Sequence, residues 1–112
     1  MSTNTLVPQG VIPDEVSIAI LDVHEEVHHI FKTSLITVRF YLCSEIISVN
    51  TTAQKLATYF DNLPITIPAA NGRSVRVQKV PCSEEMAGDS EIDMTGGDRR
   101  SEAIVTICFK KL

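Results

Sequence analysis

Five consecutive residues, His24-Glu25-Glu26-Val27-His28, carry the chemistry read most directly from this chain. Their pattern is H-E-x-x-H. On a helix, positions four apart lie one turn apart on the same face. His24 and His28 would then share a zinc ion, and Glu25 would act as general base on the metal-bound water. A milder use of the same residues is pH sensing. His24, His28 and His29 stand beside Glu25 and Glu26 and would gain charge together near an ordinary pKa of ~6.5. A second group is basic. Arg73, Arg76 and Lys79 lie in a stretch, 63–81, that contains no acid, with Lys110 and Lys111 as further cations at the end of the chain. Cations along a strand edge can hold phosphates or an acidic partner, or protect the edge from aggregation. No aromatic is interleaved there to stack on bases, so nucleic acid is not the favoured anion. No phosphate-cradling glycine loop and no dinucleotide fingerprint is present. Cys82 has no histidine near it in sequence, and Cys43 and Cys108 fall inside apolar strand patterns.

The five-residue pattern resembles the zincin metalloprotease signature, and the resemblance implies a zinc-dependent hydrolase. The surroundings depart from that signature. Glu26 places a charge where such helices bury an uncharged residue, and Asp22 interrupts the apolar run upstream. No third ligand stands at a recognisable spacing downstream, where Glu45 and His29 are the nearest options. A strand would also hold the two histidines too far apart to share an ion. A solvated acidic face accounts for these residues without metal or cofactor.

The elements that would position these groups follow from periodicity. Residues 34–49 form the longest run of β-formers, with Ile36, Val38, Phe40, Leu42 and Ile46 on one parity and Thr37, Arg39, Tyr41 and Glu45 on the other. Alternation of this kind makes one long strand with a dry face and a wetter one, the natural centre of a sheet. Leu35, Cys43, Ile47 and Val49 share the wetter face, so it is half apolar. VSIAIL, 16–21, is a first strand. Val23, Val27, Ile30 and Phe31 recur at helical spacing, which favours a short helix over 22–32 against a continued strand. Thr51 and Gln54 match a capping box at the start of a helix over 51–63, whose apolar stripe is Ala53, Leu56, Ala57, Phe60 and Leu63.

Residues 65–80 read as a hairpin around Asn71-Gly72. A two-residue turn would set Ile65 and Ile67 beside Arg76 and Gln78. A three-residue loop, 70–72, sets Ile67 opposite Val75, Ile65 opposite Val77 and Thr66 beside Arg76, with Gly72 left-handed. Because a slip of one residue exchanges the faces, the second register is expected. Pro68 marks an edge strand. Residues 82–101 read as an acidic, mobile surface loop and 102–111 as a closing strand. Residues 1–13, broken by Pro8, Gly10 and Pro13, read as an extended arm before a single domain over 14–112.

Composition sets the outer bounds. A chain of 112 residues has room for one domain. Its 44% apolar and 21% charged residues are those of a folded protein, and with 5% aromatics and no Trp the core must be aliphatic. A net charge of −4 argues against binding nucleic acid or an anionic membrane with the whole surface. Three widely spaced cysteines favour free thiols and a reducing compartment. No run is long enough to span a bilayer. The expected protein is an α+β domain with a mostly antiparallel sheet of about five strands, the 51–63 helix on one face and a short helix near 22–32. Its expected role is non-enzymatic: protein interaction or assembly as a homo-oligomer, of the kind found in small viral or phage structural components, in the cytoplasm or a virion. Arg39, Tyr41, Arg73, Arg76 and Lys79 are the interaction candidates. The alternatives are the zinc hydrolase and an anion binder using the 73–79 hairpin.

Overall fold

β-formers with two-residue periodicity dominate this chain, and a sheet is what they build. The structure, a computed structural model, describes residues 10–28, 33–61, 64–68, 72–82, 91–95 and 100–112. In chain order the elements are β1 (Ser17–His28), β2 (Thr33–Ser44), α1 (Asn50–Tyr59), β3 (Ile65–Pro68), β4 (Ser74–Val80), β5 (Glu91–Thr95) and β6 (Ser101–Lys111). All pairings are antiparallel, in the order β1-β2-β6-β4-β3, with β5 also on β6. One flank of β6 pairs with β2 along nearly its whole length. The other flank is divided: β5 takes positions 102–106 and β4 takes 108–111. The hub of the sheet is therefore β6, and the 34–49 run lies one position away from it. That run is strand only as far as Ser44. Ser44 Oγ then accepts hydrogen bonds from the Ile46 and Ile47 N–H groups, each at 3.1 Å, and turns the chain. Ile46, expected on the dry face, is exposed.

The dry parity of β2 is buried as expected, with Ile36, Val38, Phe40 and Leu42 facing the core. β6 adds Ala103, Val105, Ile107 and Phe109, while Ala53, Leu56, Ala57 and Phe60 of α1 lie over them. Phe60 meets Phe109 edge to face, with ring centroids 5.4 Å apart. Burying each large side chain contributes roughly 1.5–3 kcal/mol. Ile12 also packs against this core, so the end of the expected arm lies on its own domain, and residues 1–9 lie outside the described ones.

The capping box does not form. The helix begins one residue earlier, with Val49 at the N-cap position and no side-chain cap. Val49 is fully buried, and burying a valine is worth more than the roughly 1 kcal/mol of a polar cap. The helix ends at Tyr59, and residues 62–63 fall outside the described ones. Lys79 closes that end, its Nζ donating to the Ala57 carbonyl at 2.6 Å and to Asp61 at 2.5 Å.

Two further expectations are corrected. Residues 22–28 continue β1 as strand and not as a helix. Val23 and Val27 are four apart, a spacing that serves one face of a helix and also one face of a strand. Pairing with β2 satisfies the backbone and decides between them. Residues 29–32 lie outside the described ones. Within the 82–101 loop, residues 91–95 form β5, which supplies the partner that half of β6 would otherwise lack. The hairpin register is as expected: Ile65 opposite Val77, Thr66 opposite Arg76 and Ile67 opposite Val75, with Gly72 at φ +83°.

Candidate interaction surface

Among the described residues, sheet order leaves β1, β3 and the five-residue β5 with a free edge each. β3 has four residues and ends in Pro68, which has no N–H to offer a neighbouring strand. β1 is different. It has 12 residues and, among the described residues, pairs only with β2. Its register shifts between Ile20 and Asp22, so Leu21 is the extra residue of a bulge. Before the bulge Ile18 and Ile20 pack on the core. After it the alternation resumes with the other parity, and Val23, Glu25 and Val27 oppose Val38, Ile36 and Ser34. α1 crosses β5 and β6 and does not extend over this part of β1. Leu21, Val23 and Val27 are consequently 48%, 52% and 59% exposed. Three bare aliphatics on one strand with an unpaired outer edge form the most conspicuous apolar edge among the described residues.

The charges around this edge are internally matched. Arg39 reaches across from β2 and donates from Nε and Nη2 to the Asp22 carboxylate, with Nη2 2.5 Å from Oδ2. That hydrogen bond holds the Asp22 carboxyl below its ordinary range and raises the Arg39 guanidinium further. Lys111 Nζ stands 3.6 Å from Glu25, and His24 Nε2 stands 3.6 Å from Glu26.

The sequence-derived candidates fare unevenly. Arg39 is exposed but engaged with Asp22. Tyr41 is half-buried and its hydroxyl donates to Glu102, whose carboxylate also meets Arg100 Nε at 3.3 Å. The Glu102 bond, with Cys43 adding a second, pushes the Tyr41 phenol well above its usual range. Both candidates therefore spend their polar groups within the chain. The sheet face they share is also less bare than the sequence implies. Leu35, Thr37, Cys43, Ile104 and Thr106 are half-buried, and Cys82 donates from Sγ to the Thr106 carbonyl at 3.5 Å. The basic hairpin divides. Lys79 is on the core side, committed to α1, whereas Arg76 is exposed on the opposite side of β4. Arg73 is exposed just before the strand. The three cations do not form one patch.

His24 and His28 are four residues apart on a strand, so their backbones are separated by ~13 Å. The H-E-x-x-H geometry needs a helix and does not form. Among the described residues no three His, Cys, Asp or Glu side chains converge as metal ligands would. No disulfide joins the three cysteines. Among the described residues no helix is long and apolar enough to cross a membrane.

The β1 edge escaped notice in the sequence, although a signal was present. Ile18 and Ile20 are even, Val23 and Val27 are odd, and a change of parity inside a β-rich run marks a bulge. Compared with protein-family models, curated proteins and solved structures, the chain matches none.

Proposed function

We propose that the protein is a non-enzymatic assembly protein that pairs with a second copy of itself along β1. The observation carrying this reading is the 12-residue edge, unpaired among the described residues, with Leu21, Val23 and Val27 exposed. Two such edges related by a twofold axis would continue the sheet across the interface, the usual geometry of an isologous dimer. The sequence of β1 favours one register. With Glu25 at the axis, Val23 lies opposite Val27 twice and His24 lies opposite Glu26 twice. Each Glu25 would face its own copy, and each has Lys111 beside it to offset the repulsion. Moving the axis to His24 sets Asp22 against Glu26 and Val23 against Glu25. Moving it to Glu26 sets Val27 against Glu25. Charge on the edge therefore selects a register and disfavours indiscriminate pairing.

Sedimentation equilibrium on the purified chain tests this reading. A dimer is expected at micromolar concentration, and Val27→Lys should weaken it about tenfold or more while leaving the fold intact. A strict monomer at high micromolar concentration, or a dimer indifferent to Val27→Lys, overturns it.

A further inference from the structure

We propose that the cleft at the start of α1 binds a phosphate group, either free phosphate or the head of a phosphomonoester. The cleft, of about 360 Å³, lies between the chain turn at Gly10 and Pro13 and the first turn of the helix, where Ser48, Thr51, Thr52 and Lys55 line it. A helix leaves its first N–H groups without partners inside the helix, and these, with the helix dipole, favour an anion. Two of them are already occupied here. Val49 N–H donates to Ser101 Oγ at 3.1 Å, and Asn50 N–H donates to Ser48 Oγ at 3.2 Å. The N–H groups of Thr51 and Thr52 have no acceptor among the described residues. No acidic residue stands in the first turn and no carboxylate lines the cleft.

An independent observation comes from Thr52. It is only 4% exposed, it lines the cleft, and its hydroxyl has no hydrogen-bond partner among the described residues. A buried hydroxyl left without a partner costs free energy, so such groups are ordinarily satisfied. The oxygen of a bound anion would satisfy it. Lys55 lies one turn further along the same side of the helix and has no ion-pair partner among the described residues. Two N–H donors, hydroxyls on Thr51 and Thr52 and one ammonium match a tetrahedral dianion, and charge-assisted bonds of this kind are the strong ones. The volume leaves room beside the phosphate for a small organic group.

The test is a titration of the full-length protein followed by amide chemical shifts, at constant ionic strength with chloride as counterion. Inorganic phosphate and glycerol 3-phosphate form its two arms. Saturable shifts centred on the Thr51 and Thr52 amides are expected in both. Tighter binding of the ester identifies an organic monoester as the ligand, and equal binding identifies free phosphate. Lys55→Gln and Thr52→Val should each weaken binding about tenfold. Thr52→Val should also leave the melting temperature unchanged or higher, because it removes a hydroxyl that lacks a partner. Shifts that never saturate, that follow ionic strength irrespective of the anion, or that survive both substitutions overturn the proposal.

Discussion

At the scale of single residues, polar groups near β1 are matched within the chain and its apolar groups are not. Asp22 and Arg39 illustrate the first half. Their fork spans the β1–β2 pair directly after the bulge. Because the folded carboxyl binds protons less readily than its ordinary value of 3.8, the pair contributes stability above that value. The contribution is lost as pH falls through the lower, folded value. Both side chains are about half exposed, so solvent screens the pair and the effect is local. Hydrogen-exchange protection factors of β1 amides, taken relative to the intrinsic rate at each pH, should therefore fall on acidification below about pH 4. In Asp22→Asn protection should already be lower at neutral pH and should lack that acid step. Equal acid sensitivity in the two proteins would separate the fork from β1 stability. Val49 makes a complementary point. Residue types forecast a polar cap at Thr51, yet a buried valine displaces it, since local preference yields when core packing is worth more.

At the scale of elements, the sequence was legible wherever one reading alone fitted the pattern. The β3–β4 register followed from Ile65, Ile67, Val75 and Val77, because a slip would have buried Arg76 and Gln78. The stripe on α1 and the inward parities of β2 and β6 followed in the same way. β1 was not legible beyond Leu21, because Val23 and Val27 suit a helix and a strand equally and only pairing with β2 separates them. β5 was missed for a different reason. EIDMT is acidic and short, and its pairing is specified by the vacant flank of β6 instead of by its own composition.

The bulge is itself testable. Deleting Leu21 would let Asp22 follow Ile20 in a regular ladder with every later face preserved. The fold should survive, with stability changed by less than about 1 kcal/mol, and self-association should tighten because bulges twist edges away from neighbours. Gross unfolding on deletion would show that the bulge is required by the core. For α1, Leu56→Ala should cost roughly 2–5 kcal/mol in denaturant unfolding, as expected for a leucine with no exposure between the helix and the sheet.

At the scale of the whole molecule, a sheet five positions wide carries one helix among the described residues, and that helix sits over β5 and β6. Cover is good at the hub and ends before β1. The general shape of this imbalance was legible, since one helical stripe cannot roof so many β-formers. Its location was not, because the half-apolar face of β2 is partly sheltered and the bare surface lies at the margin. A protein built in this way has an interior that holds itself together and an edge suited to another strand. The register proposed for that edge can be trapped covalently. With Glu25 on the twofold axis, the Cα atoms of the two copies would lie ~4.5–5.5 Å apart, within reach of a disulfide. Mild oxidation of Glu25→Cys should give a covalent dimer. Ser17→Cys, which finds no β1 partner in this register, and the unsubstituted chain with its three native cysteines should stay uncrosslinked. Failure of Glu25→Cys to crosslink, or crosslinking no better than that of Ser17→Cys, would contradict pairing through β1.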